Sequence, residues 1–313
     1  MKKIFLIFIV TASYLIACNQ GNKRQQSREE QTKFVIGFSQ CNSAEPWREA
    51  MNQAMEQEAA LHPEIELTIL DAQQDNSKQV ADIENLIVRE VNLLMVSPNE
   101  AKPITAVVEK AYKKGIPVIV IDRKILSDSY TTFIGADNLI IGEAAGNYAV
   151  KLLKGKGEIV EIWGLKGSTP AIERHEGFVK GISDHPEIEI IYEQDGAWLR
   201  RKGMEIMENA LQRFEKIDLV YAHNDPMAIG AYLAAENAKR EDKMFFLGID
   251  GLPGPEGGAQ AVLNGQMDAT FLYPTGGRIA IQTALRILNG KEVEKNITLE
   301  TTTIDSTNAK DYL

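Results

Sequence analysis

The chain has 313 residues, of which 44% are hydrophobic and 25% are charged, as is usual for a globular protein with room for two domains. Its 44 acidic and 34 basic residues give a formal net charge of −10, which argues against nucleic acid as the main partner. Acidity alone does not favour a sugar over other neutral ligands.

The N-terminus differs in kind from the rest of the chain. Two lysines precede a short apolar stretch over residues 4–17, and Cys18 follows it. This pattern predicts a signal peptide over residues 1–18 rather than a membrane span. The letters LIAC resemble the processing site of bacterial lipoproteins, which implies that Cys18 carries a lipid. An uncleaved N-terminal anchor is the alternative, and either case predicts a membrane-anchored, periplasmic protein.

Residues 19–33 are polar without apolar periodicity, so we expect a flexible tether there. From Phe34 onward, strand patterns alternate with amphipathic helix patterns to the end of the chain. In the second helix, Ser77 lies in the predicted N-cap region, and the predicted buried stripe consists of Val80, Ile83, Leu86 and Ile87. The alternation predicts an α/β fold whose parallel sheets have helices on both faces.

The fourth predicted strand, within the letters KKGIPVIVIDRK, ends in two charged residues. Gly115 suits the position after a helix, and Pro117 suits the start of a strand. The apolar run 118–121 is typical of a parallel strand covered on both faces. Asp122 and Arg123 follow at the carboxyl end, where ligands bind in open α/β sheets. Together they can grip a polyhydroxylated molecule; a solvated or mutually paired Asp/Arg is the alternative.

Two sheets fit this pattern better than one. The segments TTFIGADN and DATFLYPT are suited to carry the chain from one lobe to a second and back. We therefore expect two discontinuous lobes, with a cleft between them. The N-terminal lobe is predicted to comprise residues 34–136 and 274–299, and the C-terminal lobe residues 137–273 and 300–313.

Six motifs in this order resemble those of periplasmic sugar-binding proteins of the ribose/galactose type, over about residues 34–313. They are PVIVIDR, IGADN, GLKGSTPAIERHEGF, VYAHNDPMAIGA, LGIDG and DATFLYP. The resemblance implies two Rossmann-like lobes with parallel sheets, joined by three crossovers and closing on a monosaccharide. It implies no cofactor.

The resemblance also implies which side chains contact the sugar. They are Ser39, Trp47, Asp122, Arg123, Asp137 or its neighbour Asn138, Arg174, Trp198, Asn224, Asp250 and Tyr273. Aromatic rings cover the C–H faces of sugars, whereas charged and amide groups bind the hydroxyls. Core packing is an equal alternative for Trp47. Asn224 is also a good helix N-cap, and the two roles are compatible.

The loop after the first strand departs from the ribose-binding pattern. Glu45 stands where that pattern has an amide, and Arg48 where it has a second aromatic, which adds a charged pair to the predicted site. The letters SQC, SPNE and LKGSTPAIERH look more like the sensor domains of Bacteroides-type hybrid two-component receptors, whose best-known ligand is fructose. That likeness implies a membrane sensor kinase as partner, whereas the lipoprotein site favours an ABC permease.

Other classes of function lack support in the sequence. The four histidines at 62, 175, 185 and 223 do not have metal-ligand spacing, and we expect His175 to be a surface or packing residue. GFSQC is not a Gly-x-Ser-x-Gly nucleophile elbow. Sugar-responsive repressors carry a helix-turn-helix in front, but a signal sequence occupies that place here. We therefore expect neither a catalytic site nor a metal site.

Overall fold

The structure, a computed structural model, describes residues 34–313. The predicted signal peptide 1–18 with Cys18, and the predicted tether 19–33, lie outside the described residues. Among residues 34–313, no helix combines the length and the apolar content that crossing a membrane requires.

Strands and helices alternate along most of the described chain. The strands are β1 (Phe34–Gln40), β2 (Ile65–Asp71), β3 (Leu93–Ser97), β4 (Val118–Ile121), β5 (Thr132–Ala136), β6 (Lys156–Trp163), β7 (Glu187–Asp195), β8 (Leu219–Ala222), β9 (Phe245–Leu247), β10 (Ala269–Phe271), β11 (Asn296–Leu299) and β12 (Thr303–Asp305). The α-helices are α1 (Pro46–Ala59), α2 (Asn76–Val88), α3 (Ala101–Lys113), α4 (Asn138–Leu153), α5 (Thr169–Ile182), α6 (Arg200–Arg213), α7 (Asp225–Asn237), α8 (Gly258–Leu263) and α9 (Gly277–Leu288).

The strands form two six-stranded sheets, one in each lobe. The first has the order β11-β5-β4-β3-β1-β2, and the second has the order β12-β10-β9-β8-β6-β7. Every pairing is parallel except that of β10 with β12. The chain crosses between the sheets three times: after β5, after β10 and after β11. The predicted α/β fold with two lobes is therefore confirmed.

The central strands of the first sheet are buried on both faces. Every residue of β3 and β4 is buried, as expected for apolar runs in a parallel sheet. Helix α3 packs with Ile104, Val108 and Ala111 fully buried, and each large apolar side chain contributes about 1.5–3 kcal/mol on burial. Gly115 follows this helix with φ +85°, the left-handed conformation that glycine adopts without strain.

Two local predictions differ from the structure. Asp75, rather than Ser77, caps α2, because its carboxylate accepts hydrogen bonds from the backbone N–H of Ser77 and Lys78 at 2.7 and 3.1 Å. The strands β11 and β12 were not predicted. They have four and three residues, lie at sheet edges and are largely polar, so neither leaves a continuous apolar run in the sequence.

Candidate functional site

The carboxyl ends of the strands in both sheets face one small cavity. Loops after β1, β4, β7, β8, β9 and β10 supply most of its lining, as expected at this edge of parallel sheets. The lining residues are Glu45, Trp47, Arg48, Asp122, Arg123, Pro170, Arg174, Trp198, Asn224, Asp250 and Tyr273. All predicted site residues except Ser39 and Asp137 are in this set, and Pro170 was not predicted.

An ion pair dominates the first-lobe face of the cavity. Arg48 Nη2 lies 2.5 Å from Asp122 Oδ2, and Arg48 Nη1 donates a hydrogen bond to Ser97 Oγ at 3.0 Å. The Tyr273 hydroxyl donates to the other oxygen of Asp122 at 2.6 Å. Arg123 is farther away, with its Nε 3.8 Å from the same carboxylate. Asp122 is therefore paired mainly with Arg48, from the helix after β1.

The backbone at Asp122 has a strained conformation. Asp122 follows β4 with φ +66°, a left-handed conformation that costs a residue other than glycine about 1–3 kcal/mol. Burial alone would raise the pKa of the Asp122 carboxyl, but the charges of Arg48 and Arg123 and the Tyr273 hydroxyl together hold that pKa below its usual range. The buried carboxylate is therefore ionised at neutral pH.

Glu45 lies beside this ion pair under a different balance of forces. Asn42 Nδ2 and Gln74 Nε2 donate hydrogen bonds to Glu45 Oε1 at 3.1 and 3.2 Å. Burial nevertheless raises the pKa of the Glu45 carboxyl, because the nearby charges of Arg48 and Arg123 offset the loss of solvent only in part.

Arg174 is the principal cation of the second-lobe face. Its Nε donates to Asn138 Oδ1 at 2.9 Å, and its Nη1 donates to the backbone carbonyl of His223. Asn138 Nδ2 in turn donates to the Tyr273 hydroxyl at 3.3 Å. These bonds fix the guanidinium at the cavity with main-chain and amide partners, without a direct ion pair to a described residue.

Asp250 is the least satisfied charged group of the lining. Its side chain is buried, and among residues 34–313 its carboxylate makes no hydrogen bond. Behind it lies a second buried acid, Asp225, which accepts hydrogen bonds from Thr270 Oγ1 at 2.6 Å and Gly251 N at 2.8 Å. Burial, and then the charge of Asp225, raise the pKa of Asp250 well above its usual range.

Two tryptophans line the cavity in different ways. The Trp47 ring stacks on Tyr273 with centroids 5.1 Å apart, and its Nε1 donates to the Tyr273 carbonyl at 2.7 Å. Trp198 follows β7 with φ +70°, and its buried Nε1 has no partner among the described residues. The guanidiniums of Arg123 and Arg174 lie 5.5 and 5.4 Å from the Trp198 ring, within cation–π range.

Asn224 combines a structural contact with a place in the lining. Its Oδ1 accepts from Met227 N at 3.1 Å and so caps α7, while its Nδ2 donates to the Trp198 carbonyl at 3.0 Å. The helix-cap alternative is therefore observed, and the same residue lies against the cavity.

Two predicted residues lie outside the cavity lining for clear structural reasons. Ser39 is fully buried within β1. Asp137 caps α4 by accepting from Leu139 N and Ile140 N at 3.0 and 3.2 Å. The neighbouring Asn138 is the residue that meets Arg174 and Tyr273. Sequence reasoning missed Ser97, which was visible only as a polar residue at the end of the third strand.

The lining as a whole is suited to bind rather than to react. Three carboxyl groups and three guanidiniums surround one small cavity, with aromatic faces beside them. Planar donors and acceptors of this kind bind vicinal hydroxyls, and a formally balanced set of charges suits a neutral guest.

Comparisons with known proteins agree with this geometry. Residues 36–292 match the family described as periplasmic binding protein domain. The ribose import binding protein of Bacillus subtilis is 31% identical over 311 residues, which cover 95% of this chain and 97% of that protein. The fructose-binding periplasmic domain of a hybrid two-component system superposes with a TM-score of 0.87 at 49% identity, over 89% of this chain and 92% of that one.

A solute-binding protein of an ABC transporter from Bacillus halodurans, solved with myo-inositol, is also similar. It is 31% identical, with a TM-score of 0.85 over 91% of this chain and 98% of that one. These three relatives therefore include proteins of transport and of two-component systems, and the ligands named for them are ribose, fructose and myo-inositol.

Proposed function

The chain belongs to the periplasmic binding protein family, and on that premise we propose that it is an extracytoplasmic receptor that closes on a monosaccharide. Like its relatives, it is a binding protein rather than an enzyme. The observation that carries the proposal is the small cavity between the lobes, whose lining contains three acids, three arginines and two tryptophans. The proposed sugar contacts are this lining.

Fructose is the first candidate among the sugars. The fructose-binding sensor domain shares 49% identity with this chain, well above the 31% of the ribose import binding protein. Glu45 and Arg48 also make the first-lobe face more highly charged than the ribose-binding pattern implies. Arg48 is held by Asp122 and Ser97, so its remaining donor capacity has a fixed direction toward a hydroxyl.

Closure of the lobes is the proposed response to the sugar. Several contacts already join the two lobes beside the cavity. Lys124 N donates a hydrogen bond to Thr169 Oγ1 at 2.9 Å, and Lys124 Nζ lies 2.6 Å from Glu173 Oε1. Ala101 N donates to the Gly167 carbonyl at 3.2 Å. A sugar that bridges both faces would stabilise this arrangement through contacts that an open form lacks.

Two destinations for the signal are supported by different relatives. The likeness to a hybrid two-component sensor domain supports coupling to a membrane histidine kinase, which is our first proposal. The match over 97% of a ribose import binding protein supports delivery to an ABC permease instead. Pull-down of the sugar-loaded protein with each candidate membrane partner separates the two.

Membrane anchoring through Cys18 is a separate proposal that rests on the LIAC sequence alone. A Cys18→Ala chain should leave the membrane fraction and lose the mass of the lipid. Unchanged membrane association with no change in mass would contradict lipidation.

Calorimetric titration of the purified chain against D-fructose, D-ribose, D-galactose, L-arabinose and myo-inositol tests the sugar proposal. We expect saturable 1:1 binding of at least one pentose or hexose. A Lys110→Ala variant, which changes an exposed ion pair with Glu84 on the first lobe, should bind equally well. If no member of the panel produces heat or a thermal shift, the monosaccharide assignment is wrong.

A further inference from the structure

A buried acid lies behind the second-lobe face, outside the cavity lining. The Glu161 side chain, on β6, is fully buried. His175 Nδ1 lies 3.0 and 2.9 Å from its two oxygens, and His223 Nε2 lies 2.9 Å from Oε1. We call these three residues the histidine cluster. His175 was expected to be a surface or packing residue, but it is partly buried and bonded to this acid.

The histidine cluster is joined directly to two residues of the cavity. His175 follows Arg174 on α5, and His223 precedes Asn224 at the end of β8. The His223 carbonyl accepts a hydrogen bond from Arg174 Nη1. Through Glu161, the cluster therefore ties α5 to the turn after β8, and these two segments present Arg174 and Asn224 to the ligand.

The hydrogen bonds determine where the protons lie. An ionised carboxylate only accepts, so both histidines must donate to Glu161. His223 then carries its proton on Nε2, and its buried Nδ1 has no partner among the described residues. A second proton on that Nδ1 would be a buried donor without an acceptor, which is costly. His223 is therefore neutral, which leaves His175, 27% exposed and bonded to both oxygens of Glu161, as the histidine whose protonated form can balance that charge.

Other charges around His175 come from each element packed against it. They are Glu193 on β7 and Lys166 in the loop after β6; Arg174 on α5 acts on His223, which shares Glu161 with His175. Glu193 already accepts from Trp163 Nε1 at 3.2 Å and has Lys166 Nζ at 3.9 Å. Burial alone would lower the pKa of His175, but the bond to Glu161 outweighs it and raises that pKa.

We propose that the histidine cluster positions Arg174 and Asn224 for the sugar, and that loss of the proton on His175 releases this hold and weakens sugar binding. The proposal rests on the proposed function. Without that proton, Glu161 is a buried charge with neutral partners only, which favours local opening of the cluster. The sugar must then restore the order of two segments when it binds, and this cost reduces its affinity.

The sign of the pH effect follows from the direction of the shift. A histidine whose pKa is raised by folding stabilises the folded site fully below its ordinary value near 6.5, and this contribution is lost as the pH rises through the raised value. We therefore expect sugar affinity to be highest in mildly acidic solution and to fall on the alkaline side of neutrality.

Titration of the full chain, purified in mild detergent, with its best-binding sugar at pH 5.5 to 8.5 tests this inference. We expect the affinity of the wild type to fall by roughly threefold to tenfold across this range, a modest preorganisation cost. His175→Gln still donates to Glu161 but does not titrate, so it should lack the fall in affinity that the wild type shows on the alkaline side of neutrality. His185→Gln, a change in the turn after the same helix, should retain the wild-type profile.

One further measurement keeps the outcomes distinct. Side-chain NMR of histidine should show His175 titrating above its ordinary pKa in the wild type and downward-shifted in Glu161→Gln. A flat wild-type profile, or the same slope in His175→Gln, overturns the positioning role and leaves the sugar assignment intact. Absence of binding at every pH overturns the sugar assignment together with this inference.

Discussion

The two faces of the cavity satisfy their charges in different ways. On the first-lobe face, the Asp122 carboxylate has Arg48 at 2.5 Å and the Tyr273 hydroxyl at 2.6 Å. On the second-lobe face, the Asp250 carboxylate has no hydrogen bond among the described residues, and a second acid, Asp225, lies behind it. The first face is thus largely preassembled, whereas the second holds groups whose charge is poorly compensated by the protein.

This difference predicts that the two lobes contribute to sugar binding in different ways. A preassembled face orients its donors before the sugar arrives, which reduces the ordering cost of binding. A poorly compensated face gains more from the sugar's hydroxyl groups, because an unpaired buried charge is unfavourable until a partner reaches it. Variants on the first face should therefore lower both stability and affinity. Variants on the second face should lower affinity with little loss of stability.

Asp122→Ala should have the largest effect and tests the preassembled face. It leaves the Arg48 guanidinium buried without its carboxylate, which costs about 3–5 kcal/mol when one member of a buried pair is removed. We expect a lower urea midpoint and at least tenfold weaker sugar binding in the folded fraction. Asp122→Asn, which retains an acceptor for Tyr273, should show a smaller loss of stability; equal stability of Asp122→Ala and the wild type would contradict the preassembled face.

Arg174→Ala comes next and tests the cation of the second face. Arg174 is bound to Asn138 and to a backbone carbonyl rather than to an acid. Its removal therefore leaves no carboxylate without an ion-pair partner. We expect about 2–5 kcal/mol less binding energy, at least a tenfold loss of affinity, with a smaller loss of stability than Asp122→Ala. Calorimetry and urea unfolding of both variants give the comparison, and unchanged affinity would remove Arg174 from the contacts.

Asp250→Asn should have the smallest effect on stability. It should stabilise the protein, whereas the two preceding variants destabilise it. The change replaces a buried carboxyl, whose pKa burial and Asp225 raise, with a neutral group of the same shape, so the free energy of unfolding at pH 7 should rise by about 1 kcal/mol. Sugar affinity should fall, because an amide oxygen is a weaker acceptor than a carboxylate. A variant that is both less stable and unchanged in affinity would contradict the proposed role of the second face.

The buried acids Asp225 and Asp250 also predict that the stability of the protein depends on pH. Burial raises the pKa of Asp225 from 3.8 to about 6, and that of Asp250 is also raised. A carboxyl whose pKa is raised by folding stabilises the protein below its unfolded value, and this contribution is lost as the pH rises through the folded value. The stability that Asp225 contributes should therefore fall between about pH 4 and pH 6, and the fall should be less steep in Asp250→Asn, which lacks the second titrating acid, as thermal unfolding would measure.

The sequence predicted the framework of the site because its determinants are local. The apolar run before Asp122, and the glycine and proline around it, indicate a buried parallel strand that ends at the ligand edge. Whether Asp137 or Asn138 faces Arg174 depends on which of the two residues caps α4. The sequence predicts the start of that helix only to within one residue. The strands β11 and β12 are short edge strands, so packing against their neighbours defines them rather than their own pattern.

Partners that are distant in the sequence were beyond prediction. Glu161 occupies an apolar strand, GEIVEIWG, where a buried acid was a visible anomaly, but its bonds to His175 and His223 depend on how α5 and the β8 turn pack. Likewise, the pairing of Arg48 with Asp122 joins a helix to a distant loop, whereas the sequence analysis grouped Arg48 with Glu45 and gave pairing with Arg123 as an alternative for Asp122.

A crystal structure of the chain with the sugar that binds most tightly tests the central claim most directly. We expect one monosaccharide in the cavity, with hydroxyl oxygens at about 2.5–3.2 Å from Asp122 and Arg48 on one lobe and from Asp250 and Arg174 on the other. A sugar bound by a single lobe, or these side chains directed away from it, would contradict the account.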